Sequence, residues 1–171
     1  NIGGFVAYGG SSPVTITGLT NGQAYTFTVT ATNSVGTSTP SATTNSVTPA
    51  TIPNAPTIGS ATSGNGQATI TFTPPVDNGG DAISYYTVTS NTGGFVAYGG
   101  SSPIIVTGLV NGNSYNFTVT ATNSVGTSTS SGATNTITPA TTPDAPTSVS
   151  AVRGNGQATI TFTPPVDNGG S

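Results

Sequence analysis

Cysteine, histidine, lysine, glutamate, methionine and tryptophan are all missing from this 171-residue chain. Charge is nearly missing as well. Arg153 stands alone against Asp77, Asp81, Asp144 and Asp167, for a formal net charge of −3. Each absence excludes something. Without His or Cys, the usual zinc sites and the Ser-His and Cys-His nucleophile pairs cannot be built. Without a basic patch there is no counterion release, so nucleic acid is excluded as a partner. No apolar run approaches the roughly 20 residues of a membrane span. The lack of cysteine rules out disulfides but is compatible with any compartment.

Ser and Thr fill about a third of the chain, far above ordinary usage, and Gly and Pro add 24 and 13 residues. Disordered chains are rich in charge and poor in β-branched residues. This chain is the reverse, with Thr, Val and Ile abundant and six Tyr and six Phe spread evenly. It is expected to fold as β-structure.

Self-comparison shows a repeat. Gly3–Pro13 returns at Gly93–Pro103, Phe27–Thr39 at Phe117–Thr129, and Gly64–Gly80 at Gly154–Gly170, always at an offset of 90. A constant offset without insertions implies a tandem array of one structural unit. Pro49–Pro56 and Pro139–Pro146 are Pro-rich connectors, semi-rigid and extended. The complete unit is therefore expected at 51–140, with 1–50 the C-terminal part of one domain and 141–171 the N-terminal part of another.

Inside the unit the period is two. Ala68, Ile70 and Phe72 alternate with Thr69, Thr71 and Thr73. Tyr115, Phe117, Val119 and Ala121 alternate with Asn116, Thr118, Thr120 and Thr122, and Tyr86 and Val88 with Thr87 and Thr89. Ile105, which is Thr15 in the first copy, is expected to face solvent between Ile104 and Val106. Asn-Gly pairs at 65–66, 78–79 and 111–112 read as turns. About seven short strands in ninety residues describe an all-β sandwich.

These residues resemble a fibronectin type III domain of the kind found in bacterial extracellular proteins. The matching elements are Ala55-Pro56, Ala68–Pro75, Asn78–Asp81, Tyr86–Val88, Gly108-Leu109, Asn111-Gly112, Tyr115–Val119, Ala121–Asn123 and Gly126. The resemblance implies tandem seven-strand, immunoglobulin-like sandwiches. It also implies that Leu109 and Tyr115, like Leu19 and Tyr25, form a tyrosine corner, whose phenol OH ties the crossing between two strands to backbone. Phe72 and Phe162 occupy the position where the family usually carries Trp, and Phe fills a core without needing a hydrogen-bond partner.

No catalytic residue, cofactor or firm metal site is expected. Asp77 and Asp81 offer oxygen ligands of the kind calcium takes. Asn-Gly geometry makes a plain polar turn the simpler reading, and Ser171 replaces Asp81 in the third copy. As a glycosidase pair the same two carboxylates lack an apolar neighbour to raise one pKa, and the chain has no Trp to stack a sugar. Arg153-Gly-Asn155 lacks the acid of the integrin motif, and Asn116-Phe-Thr118 is a glycosylation sequon absent from the first copy. The Thr rows suit solvent-facing strands; the alternative is O-glycan attachment or a flat hydroxylated face for polysaccharide or ice.

Near-identical units, short connectors and a charge-poor surface point to a structural, non-enzymatic segment of an extracellular fibre, sheath or surface stalk, bacterial by its resemblance. Its partners are then neighbouring copies of the same repeat, head to tail. The alternative is a spacer or carbohydrate-binding accessory array in a secreted glycan-degrading enzyme or adhesin. Either way residues 1–50 and 141–171 need completion by neighbours. Residue 171 is expected within about 30 Å of residue 1 in the next copy, the reach of nine extended residues.

Overall fold

The computed structural model describes residues 4–170, so the expected approach of residue 171 to residue 1 lies outside the described residues. Among the described residues eight strands form, all antiparallel to their neighbours: β1 (Thr57–Gly64), β2 (Gln67–Thr73), β3 (Tyr85–Ser90), β4 (Val96–Gly99), β5 (Ile104–Thr107), β6 (Phe117–Thr122), β7 (Thr147–Arg153) and β8 (Ala158–Thr163). Among the described residues, no helix is long and apolar enough to cross a membrane.

Strands β1-β2-β5 and β4-β3-β6 form the two facing sheets of the central unit, and β7-β8 form a separate two-stranded sheet. The alternation predicted from sequence decides which side chains lie between them. Ala68, Ile70 and Phe72 of β2 and Ile104 and Val106 of β5 point inward from one sheet. Tyr86 and Val88 of β3 and Phe117, Val119 and Ala121 of β6 meet them from the other. Ile105 is 52% exposed between its buried neighbours. Phe72, buried in this core, packs on Tyr86 at 4.7 Å between ring centroids. On the outer face, Thr87 stands opposite Thr120 and Thr89 opposite Thr118, and on the other sheet Thr62 opposes Thr69.

One expectation changes. The seventh strand is not a regular ladder but a path from 127 to 137 beside β6, marked by isolated bridges Thr122–Thr127 and Tyr115–Ile137. Ser128, Ser131, Thr134 and Ile137 donate their N–H groups to the carbonyls of Ala121, Val119, Phe117 and Tyr115. The path advances three residues for every two of β6, so each step is a bulge. Hydroxyls fill the gaps. The side-chain oxygens of Ser128, Ser131 and Thr134 accept from the N–H groups of Ala121, Val119 and Phe117 at 2.9–3.1 Å. Each hydroxyl then donates to the carbonyl of its own successor. Ser38, Ser41 and Thr44 repeat this beside Ala31, Val29 and Phe27.

The flanking segments repeat parts of this fold. Strands β7 and β8 pair as β1 and β2 do, including the register shift near the start of the first strand. Nothing among the described residues covers them, and Phe162, expected in a core, is 56% exposed. Residues 4–50 keep the Tyr25–Val47 bridge. Their inner face opens as a cleft of about 1020 Å³, lined by Phe5, Tyr8, Tyr25, Phe27 and Val29 among others.

Candidate functional site: the junction between repeats

Tyr115 reaches back from the edge of β6, and its phenol oxygen accepts the N–H of Val110 at 3.2 Å. Tyr25 does the same for Thr20 at 3.1 Å. Leu109 is buried beside Tyr115, while Leu19 is half-buried. This bond fixes the turn that follows, Asn111–Gly112 or Asn21–Gly22, whose glycine has φ near +80° in both places. That is a conformation only glycine adopts at no steric cost.

The turn is one half of a contact with the loop that follows β2. Asp77 Oδ1 accepts the N–H of Gly79 at 2.8 Å, and Asn78 Oδ1 that of Gly80 at 3.0 Å. These are side-chain turns of the kind Asp and Asn favour, and they hold Gly79 and Gly80 at φ +78° and +82°. The turn thus centres on 79–80, one residue beyond the expected 78–79. Gly80 lies against the preceding segment: a Cβ placed on Gly22 would stand 3.1 Å from its Cα. The same loop at 167–170 lies against Gly112, where a Cβ would stand 3.3 Å from the Cα of Gly170.

Between turn and loop runs the connector, and it is held from both sides. Gly22 donates to the Pro49 carbonyl at 2.9 Å, and Thr51 donates to the Gly79 carbonyl at 2.9 Å. Ala50 alone separates these anchors. Asn54 adds a bond to the Asp77 carbonyl at 3.1 Å. At the second junction Gly112 bonds Pro139, Thr141 bonds Gly169 and Asp144 bonds Asp167 at 2.9, 2.8 and 3.2 Å.

Asn123 closes the first junction. It is 4% exposed and donates through Nδ2 to the carbonyls of Thr51 and Asn78 at 2.7 and 3.0 Å. Its Oδ1 accepts the N–H groups of Val125 and Gly126. Asp81 Oδ2 accepts the N–H of Ser124 at 3.0 Å. Bonds from the hydroxyl and N–H of Ser124 hold the Asp81 carboxyl below its ordinary pKa. The two candidate calcium ligands therefore both accept backbone N–H groups, and no cluster of three or more His, Cys, Asp or Glu occurs among the described residues. Arg153 ends the exposed strand β7.

Sequence reasoning missed Asn123, the glycine contacts and the hydroxyl path. The one distinguishing signal was the spacing by three of Ser128, Ser131 and Thr134; Asn123, Gly112 and Gly170 recur from Asn33, Gly22 and Gly80 only as most residues of the repeat do.

Residues 53–137 match the fibronectin type III domain family. A fibronectin type III domain is present. The chain is also 34% identical over 131 residues to the Kelch domain-containing protein SSO1033 of Saccharolobus solfataricus, a match covering 75% of this chain and 17% of that protein. The chain thus spans about a sixth of that curated relative's length. Among solved structures, a stretch of titin domains superposes with a TM-score of 0.53 at 23% identity, covering 71% of this chain and 42% of that one. The FN1–FN3 domains of chicken CNTN1 give 0.46 at 25% identity, covering 68% and 44%. The titin likeness is one of fold. Fibronectin type III domains are generally scaffold modules without catalytic activity, and they commonly occur in extracellular proteins.

Proposed function

We propose that this chain is a structural segment of an extracellular fibre, sheath or surface stalk, built from near-identical fibronectin type III repeats joined head to tail. The observation that carries the reading is the recurrence of one junction. The contacts of Gly22, Pro49, Thr51, Gly79 and Gly80 reappear 90 residues on at Gly112, Pro139, Thr141, Gly169 and Gly170. In such an array the open face around Tyr25 and Phe27 is covered by a hairpin like β1–β2, and the exposed hairpin β7–β8 meets a face like that of β6. Neighbouring copies of the repeat, in one continuous polypeptide, are the partners.

Protease shaving of intact source cells tests the location. Loss of the antibody signal for this chain, with a cytoplasmic marker preserved, is the expected result. A signal retained until lysis refutes the surface assignment.

A second reading is favoured by the relative in which the match fills only 17% of a longer protein. In it the repeats are a spacer or carbohydrate-binding accessory array within a larger secreted enzyme or adhesin. Mass spectrometry of the native polypeptide separates the two. Peptides from a catalytic domain on the same chain support the spacer, and repeat peptides alone support the fibre.

A further inference from the structure

We propose that the glycine-lined junction is a docking interface whose partner is the next copy of the same repeat, and that it locks successive repeats at one fixed angle. The inference deepens the array reading and takes its biological meaning from it. Its basis is the geometry of two junctions within one chain.

A flexible linker leaves its backbone to water. Here Pro49 and Thr51 are both claimed by hydrogen bonds, one to the preceding turn and one to the following loop, with Ala50 alone between them. Pro53, Pro56 and Pro139 are buried. Asn123, 4% exposed, spends both Nδ2 protons on Thr51 and Asn78 of its own repeat and so holds the end of the connector against the loop; a buried amide of this kind is costly to unpair. Each of these bonds lies within one repeat and fixes one end of the connector, so what a hinge motion at Ala50 would part is the backbone contact of Asn21 and Gly22 with Gly80.

The glycines make the docking possible. Backbone lies on backbone where Gly22 meets Gly80 and where Gly112 meets Gly170. A side chain on Gly80 would run into the backbone of Asn21 and Gly22, and one on Gly79 into the carbonyls of Thr51 and Ile52. The surface therefore admits one partner shape, a second glycine turn held at the same φ. Because each repeat carries the turn at one pole and the loop at the other, the contact is heterologous and does not close. Repeated identically, it generates a straight or helical rod of constant pitch.

The chain has no cysteine, so paired labels can be placed cleanly. Thr43→Cys and Ala133→Cys put spin labels on exposed, repeat-related positions, and pulsed dipolar spectroscopy reads the distance between them. The expected result is a single narrow distance. Gly80→Asn and Gly22→Asn keep a residue that tolerates positive φ but place a side chain in the contact, and each is expected to abolish the narrow distance. Gly94→Asn, at a turn of similar φ (+67°) where an added Cβ meets nothing within 4 Å, is expected to leave it unchanged. A broad distribution in the unsubstituted chain overturns the proposal, as does a narrow one surviving in both junction variants. Either outcome leaves the array reading standing as a flexible tether, since that reading fails on location and composition instead.

Discussion

Thr134 has its hydroxyl where a regular ladder would place a backbone carbonyl, and it serves the buried N–H of Phe117. Replacing it with valine keeps the shape and strands that N–H. Thr134→Val is therefore expected to cost about 1–3 kcal/mol, read as a lower urea midpoint with an unchanged m-value. Thr136→Val, exposed beside it, is expected to change little. Asp81 is a carboxylate whose titration the fold perturbs. Its pKa is lowered on folding from an ordinary 3.8, so the folded state favours the ionised form. Stability from this contact is fully present above the ordinary value and is lost as pH falls through the lower, folded one. The melting temperature is expected to stay level from neutral pH down to the ordinary aspartate range, and then to drop. Asp81→Asn should blunt that acid drop, and a wild-type drop beginning near pH 6 would contradict the assignment.

At the scale of elements, the strands with a buried and a wet side were readable because a period of two needs no partner to be recognised. Strands β2, β3, β5 and β6 sit where Ala68–Phe72, Tyr86–Val88, Ile104–Val106 and Phe117–Ala121 alternate. The 127–137 path was not readable by that rule. Its period is three, and its serines and threonines resemble solvent-facing residues until the facing N–H groups are seen. The junction was hidden for another reason. A contact made of glycine has no side chain to advertise it, and in a near-perfect repeat every residue recurs, so recurrence singles out nothing. Two tests belong here. Tyr115→Phe removes the acceptor for Val110 N–H and should cost about 0.5–1.5 kcal/mol by thermal denaturation, with the junction turn the first place to gain amide exchange. Limited trypsin treatment should give one cut, after Arg153 at the exposed end of β7, and protection of that bond in isolated protein would show that the hairpin is covered.

For the whole molecule, the missing residues become a physical property. With neither Cys nor Lys, disulfides and Lys–Asn isopeptide bonds cannot staple one repeat chain to another. Native assemblies are expected to separate fully when boiled in denaturant, and a deglycosylated ladder of multiples on the gel would refute this. Load along such a chain falls on hydrogen bonds, and the three-for-two path beside β6 shapes the response. Nine residue steps from Ser128 to Ile137 are folded alongside six from Ala121 to Tyr115. Drawn taut, that path gains about 10 Å at about 3.3 Å per residue. Each repeat thus stores slack that is released only as these bonds to β6 give way and Ile137 leaves the core. In a fibre of such units, the length each repeat releases as this path yields would be set by the spacing of its hydroxyls.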